Sequence, residues 1–306
     1  MIQITDVDAG LELFKTLGSD IRLRIIKVLM EEGAMNMNEL AGRLGITNGA
    51  LTPHVHRLEA AHLINISSSD TGHGNQKICS VRRERILIDF AVPEKENDVF
   101  TTELQVGRYT GYNVYPTCGL ATREAVIGEV DDVRYFDHPD RFNAEILWFT
   151  QGYVEYTVPN LIPNHSVITQ LALSMELSSE APGIDNDWPS EISFEINGEN
   201  IGVWTSPGDF GDVPGIFTPD WWPRNWNQYG LLKLLVINEA GTYLDGLKIS
   251  DVTTQTLRLT DRSSIRFRLT AGETNGHYGG LTLFGSAFGN YSQGIIADIH
   301  YRAAEE

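Results

Sequence analysis

The chain has 306 residues and a mass of 34.1 kDa, enough for two domains with a core each. Hydrophobic residues at 42%, charged residues at 21% and only two cysteines exclude a disordered or collagenous chain, a disulfide framework and a zinc-finger set. The net charge of -18 argues against polyphosphate binding by the chain as a whole, but residues 1 to 95 carry 12 acidic and 11 basic side chains, so nearly all the excess lies beyond them.

The aromatic residues divide at the same place. Only Phe14 and Phe90 precede residue 96, and all six tryptophans lie from Trp148 onward. The polar stretch Pro93-Glu94-Lys95-Glu96-Asn97-Asp98 reads as a linker. The expected organisation is therefore a domain over residues 1–92, a linker over 93–98 and a second domain over 99–306. No run approaches the roughly 18 apolar residues of a membrane span, and MIQITDVDAG is neither a signal nor a transit peptide. A cytoplasmic, unanchored protein is expected.

The first 66 residues have helical periodicity. Leu11, Phe14 and Leu17 form one apolar stripe, Ile21, Ile25, Val28 and Leu29 a second, and Met37, Leu40, Ala41 and Leu44 a third. Breaks fall at Gly18, Gly33 and Gly45. Thr47 can then cap a fourth helix with an apolar face of Leu51, Val55 and Leu58. Two helices joined by a tight glycine-containing turn make a helix-turn-helix. The run Leu63 to Ile66, the polar tip Ser67 to Gln76 and the run Lys77 to Val81 add a hairpin, which makes the motif winged.

The segments LFKTLGSDIRLRIIKVL and MNELAGRLGITNGALTPHVHRLEAAHLI, spanning about residues 8 to 90 with the hairpin, resemble the ArsR-type winged helix-turn-helix regulators. That resemblance implies a homodimer that places the fourth helix of each subunit in the major groove of double-stranded DNA. With Leu51, Val55 and Leu58 buried, the outward arc holds Thr52, His56 and Arg57 as base or phosphate contacts, with Asn48 at the helix entrance. His73, Asn75 and Lys77 would reach from the wing. Pro53 inside this helix implies either a kink or a late start with Thr52 as cap. His54 reads as a packed histidine. His54 and His56 diverge on a helix and cannot share one metal ion, and the stretch Ala34 to Leu40 lacks the paired cysteines of arsenic-type sensors. No metal or cofactor is expected. Arg82-Arg83-Glu84-Arg85 is either a solvated face or a phosphate contact.

From residue 99 the period becomes two. Val167, Leu171, Leu173, Met175 and Leu177 alternate with mostly polar neighbours, as do Ile192, Phe194 and Ile196, and Ile265, Phe267 and Leu269. Further strands are expected at 99 to 106, 146 to 157, 201 to 205, 232 to 238, 243 to 249, 281 to 284 and 295 to 301. Tyr109 to Gly119 reads as a connection between domains. The fold class is thus α+β multidomain, a winged helix-turn-helix followed by an all-β jelly-roll sandwich.

Three loops set aromatics beside carboxylates and amides: Asp185 to Pro189, Trp204 to Gly211 and Pro219 to Tyr229. Sugars need that mixture, because an aromatic face packs on C–H groups while Asp, Asn, Gln and Arg hydrogen-bond hydroxyls. The region resembles carbohydrate-binding jelly rolls, and its NDWPS, WTSPGDFG, TPDWWP and GGLTLFGSAFG segments resemble the sensor half of a group of bacterial ArsR-like regulators. Asp187, Trp188, Asp209, Trp221, Trp222, Arg224 and Gln228 are the candidate sugar ligands, with one of the adjacent Trp221 and Trp222 facing in. Trp148 reads as core and Cys118 as a buried small residue. Asp185 and Asp187 alone are a weak calcium signal.

The expected function is a sequence-specific transcriptional regulator, a repressor released by a sugar, and not an enzyme. The alternatives are a glycosidase-like jelly roll, in which Glu176 with Asp187 or Asp209 would serve as acid and base, and a protein-binding sandwich tethered to DNA. No GxSxG elbow, HExxH, P-loop or Rossmann fingerprint is present.

Overall fold

A computed structural model describes residues 2–4, 10–69, 76–82, 86–88, 98–274 and 276–304. Its chain divides into two compact units, Met1–Val92 and Pro93–Glu306.

In the first unit the order is β1 (Ile2–Ile4), α1 (Leu11–Leu17), α2 (Asp20–Glu32), β2 (Met35–Asn36), α3 (Met37–Leu44), α4 (Asn48–Ala60), β3 (Ile64–Ser69), β4 (Gln76–Val81) and β5 (Ile86–Ile88). Ile25 and Leu29 of α2, Leu40 and Leu44 of α3, and Leu51, Val55 and Leu58 of α4 are buried together with Cys79, as the three- and four-residue spacing requires. The first helix departs from expectation. Leu13 and Leu17 pack on the core, while Leu11 is 48% exposed. In a two-turn helix both pairings satisfy the period, and packing decides between them.

Helix α3 starts at Met37 because Asn36 caps it. The Asn36 carboxamide oxygen accepts from the amides of Asn38 at 2.9 Å and Glu39 at 3.0 Å, and the Glu39 carboxylate accepts from the Asn36 amide at 3.0 Å. Helix α4 is continuous from Asn48, with the Thr47 hydroxyl accepting from the Ala50 amide at 3.3 Å. Thr52 is therefore not its cap. Pro53 removes the donor for the Gly49 carbonyl, and one residue earlier Thr52 Oγ1 donates to the Asn48 carbonyl at 2.7 Å. Strands β3 and β4 pair from Ile64 opposite Val81 to Ser69 opposite Gln76, and β2 joins through Met35 opposite Cys79. This three-stranded sheet is the wing. The parallel pair of β1 with β5 has no counterpart in the expected elements.

The second unit contains β6 (Asp98–Leu104), β7 (Gly111–Ala121), β8 (Ile146–Pro159), β9 (Ser166–Ser178), β10 (Ser190–Ile196), β11 (Glu199–Ser206), β12 (Leu231–Asn238), β13 (Gly241–Leu244), β14 (Leu247–Ser250), β15 (Ser264–Ala271), β16 (Glu273–Thr274), β17 (His277–Tyr278), β18 (Leu281–Phe284) and β19 (Ile295–Ala303). One layer runs β11-β10-β15-β8-β7 and the other β6-β19-β9-β12-β13-β14, all antiparallel, and β18 pairs with both β8 and β9. The sandwich is thereby closed along one side, towards a barrel. Strand β8 changes partner from β18 to β15 between Phe149 and Gly152. Gly152 sits there at φ 115°, where a Cβ would meet the Asn113 carbonyl oxygen at 1.9 Å. The core between the layers includes Leu171, Leu173, Met175 and Leu177, Ile192, Phe194 and Ile196, and Ile265, Phe267 and Leu269.

Three expectations are corrected. The segment from Tyr109 to Gly119 is no connection: most of it is β7, paired with β8. Residues 243 to 249 are not one strand but the hairpin β13–β14, turned at Asp245 and Gly246 with φ 50° and 80°. Val167 does not face inward. Opposite His300 and Tyr301 the register slips at Thr169, and the bulge turns Ile168 into the core instead.

Candidate functional site

The exposed side of α4 divides into two flanks. At 100° per residue Asn48, Thr52 and His56 lie within one arc, and Arg57 lies well round from them. Asn48, Thr52 and His56 line a concavity of about 330 Å³ together with Asn36 and Asn38 from the start of α3 and Lys77 from β4. The Asn48 carboxamide donates to that of Asn38, fixing the helix entrance to the preceding helix. His56 Nδ1 lies 3.2 Å from the Glu59 carboxylate. Arg57 is exposed on the other flank, on the side of Glu12 of α1, whose carboxyl is held below its usual range by Lys15 first and by Arg57 to a smaller degree. His73, Asn75 and the Arg83 to Arg85 run lie outside the described residues.

In the sandwich the loop Pro219 to Tyr229 is held by its own polar groups. Trp222 is 2% exposed and its indole N–H donates to the Asn227 carbonyl at 2.8 Å. Gln228, also 2% exposed, donates to the Pro223 and Trp226 carbonyls at 2.8 and 2.9 Å. Both therefore brace the loop rather than face solvent. Trp221 is 39% exposed, with its indole N–H on the Arg123 carbonyl at 2.7 Å, so the inward member of this pair is Trp222. Arg224 and Asp187 are exposed. Trp188 packs edge-on against His277 at 5.1 Å, and its indole nitrogen is buried without a partner. Asp185 accepts from the Asp187 amide at 2.9 Å. Among the described residues no group of three or more His, Cys, Asp or Glu is placed to hold a metal ion.

Asp209 is 1% exposed; its Oδ2 accepts from the Ala181 amide at 3.1 Å and its Oδ1 has no partner. Beside it Glu180 accepts from Asn227 Nδ2 and Thr282 Oγ1, each at 2.9 Å. Burial, and then the field of Asp209, raise the Glu180 carboxyl well above the usual range, and burial pushes Asp209 up to about 7. Glu180 lines a cavity of about 160 Å³ with Thr117, Asp131, Trp148, Trp226 and Asn227. Trp222 meets Trp148 and Trp226 edge to face with centroids 5.7 and 4.9 Å apart, and Trp148 and Trp226 are tilted at 5.9 Å. No local sequence signal marks this cavity. Trp148 is core, as expected, and also a cavity wall; Glu180 and Asp131 stand outside the aromatic loops.

Two other polar groupings, around Glu176 and Lys233, are closed. Both Glu176 oxygens accept backbone amides, from Gly230, Asn290 and Tyr291, at 2.8 to 3.0 Å. It ties loops together and offers no acid or base to a substrate. Lys233 pairs with Asp245 inside the sandwich and sits 4.6 Å from the Trp204 ring centroid, which makes Trp204 structural.

The family described as winged helix-turn-helix DNA-binding matches residues 19–65, which span α2, α3 and α4. The transcriptional regulator homologue protein from Pyrococcus horikoshii OT3 is similar at 21% identity, over 24% of this chain and 76% of that one, with a TM-score of 0.20. The CBM36-1 domain of a multidomain xylanase from the hindgut metagenome of Trinervitermes trinervoides is similar at 11% identity, over 66% of this chain and 96% of that one, with a TM-score of 0.29. A carbohydrate-binding module CBM36 in complex with calcium and xylotriose is similar at 10% identity, over 65% and 98%, with a TM-score of 0.27. No curated protein matches the chain. The chain carries an N-terminal winged helix-turn-helix DNA-binding domain followed by an antiparallel β-sandwich. Among the described residues no helix is long and apolar enough to cross a membrane.

Proposed function

We propose that the chain is a sequence-specific transcriptional regulator, of ArsR type and acting as a homodimeric repressor, whose sandwich senses a sugar. The observation that carries the DNA half is the matched winged helix-turn-helix, with Asn48, Thr52, His56 and Lys77 lining one concavity between the fourth helix and the wing. Asn48 and Thr52 suit base edges, and Lys77 suits a phosphate. Arg57 takes phosphate on the far flank, and His73 and Asn75 add further DNA contacts. With so few cationic groups, affinity should fall only modestly with salt.

For the sandwich, the support is the pairing of indole walls with carboxylates in the cavity of Trp148, Trp226, Glu180 and Asp131. Trp188, Trp221, Asp187 and Arg224 form the exposed part of the sugar site. Asp209, Trp222 and Gln228 hold it in shape from within. The sealing of Glu176 favours binding over hydrolysis.

Gel shifts with the DNA upstream of its own gene, with and without a panel of mono- and oligosaccharides, test the reading. A specific band from a dimer at low salt, weakened by one sugar that is recovered chemically unchanged, is expected. A protein that gives no specific band, or that cleaves the sugar, is something else.

A further inference from the structure

The chemistry of the walls of the cavity of Trp148 and Trp226 says what kind of ligand it takes. Its polar side chains are Thr117, Asp131, Glu180 and Asn227, with no Lys, Arg or His among the lining residues. Asn227 Nδ2 donates to Glu180 Oε2 at 2.9 Å and to Thr282 Oγ1 at 2.8 Å, which engages both amide protons. The Thr117 hydroxyl lies 3.0 Å from Thr150 Oγ1 and 3.5 Å from Glu180 Oε1, which engages its single proton. Asp131 Oδ1 takes the Cys118 amide at 2.9 Å. What these side chains leave for a ligand is acceptor oxygen: Asp131 Oδ2, the Asn227 carboxamide oxygen and Glu180 Oε1, which Thr117 contacts only at 3.5 Å.

A second observation points the same way. Asp209, anchored to the lining residue Ala181, keeps a carboxylate oxygen buried with no partner, next to Glu180. One buried carboxyl group, Glu180, and one exposed, Asp131, thus line the cavity with no cationic lining residue, and Asp209 lies beside Glu180 outside the lining; a low-dielectric site of this kind gains from a positive charge. The indole walls add cation–π attraction. A bare metal ion does not suit them, since among the described residues no three ligating side chains converge. The cavity, about 160 Å³, has room for one small ring or a short amine.

We propose that this cavity binds a protonated primary amine, and that the sugar sensed by the sandwich is an amino monosaccharide. The ammonium donates to Glu180 and Asp131 while the ring or alkyl part lies against Trp226 and Trp148. The proposal rests on the sensor reading only for the sugar part.

The test is calorimetric titration of the full chain at neutral pH with glucosamine, N-acetylglucosamine, glucose and ethanolamine. Glucosamine is expected to bind at least tenfold more tightly than glucose and N-acetylglucosamine. Asp131→Asn, an exposed and structurally mild change, should weaken glucosamine at least tenfold with thermal unfolding unchanged, and Glu180→Gln should weaken it at least tenfold in a sandwich that still folds. Should Glu180→Gln not fold, Asp131→Asn carries the test alone. Glucose binding as tightly as glucosamine overturns the amine and leaves the sugar sensor standing. Ethanolamine matching glucosamine supports the amine and removes the sugar. No binding in any arm, or binding untouched by Asp131→Asn, overturns the proposal.

Discussion

Replacing Asp209 by Asn should make the sandwich more stable in mildly alkaline solution and flatten its dependence on pH. Burial raises the Asp209 carboxyl from 3.8 to about 7 in the folded chain. A carboxyl with a raised folded value binds its proton more tightly when folded, so its contribution is fully present below about pH 4. It is lost as pH rises through about 7. About three pH units at about 1.4 kcal/mol each give a loss on the order of 4 kcal/mol. In Asp209→Asn the carboxamide oxygen still accepts from the Ala181 amide, the titration disappears, and Glu180 is relieved of its neighbour's charge. Urea unfolding followed by tryptophan fluorescence isolates the effect, because all six tryptophans lie in the second unit. The variant should gain a few kcal/mol over the parent at pH 8 and little at pH 4.5. Parallel stability curves for the two proteins between pH 4.5 and 8 would falsify the buried-carboxyl argument.

Three further outcomes are expected. Lys77→Ala should weaken DNA binding about equally across sequences and reduce the salt slope by about one, measured by anisotropy at several salt concentrations; an unchanged slope removes Lys77 from the interface. Trp222→Ala should cost about 3 to 5 kcal/mol of sandwich stability, as for other buried large-to-small changes, whereas Trp221→Ala should cost less than half as much; equal losses in urea unfolding would contradict the assignment of the buried member. Cys118, buried and pushed up to about 12 by desolvation first and then by Asp131, should resist alkylation at pH 8 until the sandwich unfolds, and rapid labelling of the native chain at that position would show it to be open.

Much of the DNA-binding unit was legible because its apolar residues repeat every three or four positions between glycines, and Leu51, Val55 and Leu58 are all fully buried. The capping box at Asn36 and Glu39 is also a local signal, and it places the start of α3. Helix α1 was misread because two turns offer two equally good stripes. In the sandwich, alternation identifies most strands, but the glycines, Pro116 and polar residues of β7 look like a loop until β8 pairs with it. The bulge at Thr169 is invisible locally, because it is set by the partner β19. The Asp245-Gly246 turn could have been read from its dipeptide. The cavity could not: Thr117, Asp131, Trp148, Glu180 and Trp226 come from separate segments that only the closed sandwich brings together. Trp222 and Gln228 belong to a loop of sugar-like composition, and their burial follows from how that loop folds on itself.

Coupling between the two units is the most direct test of the account. The affinity of the full chain for the DNA upstream of its own gene is measured by anisotropy, first alone and then with saturating glucosamine. The account predicts a specific complex whose affinity falls at least tenfold with the ligand, about 1.4 kcal/mol of coupling, and by linkage an equally weakened grip on glucosamine when DNA is bound. A complex of unchanged affinity, or no specific complex at all, would contradict it.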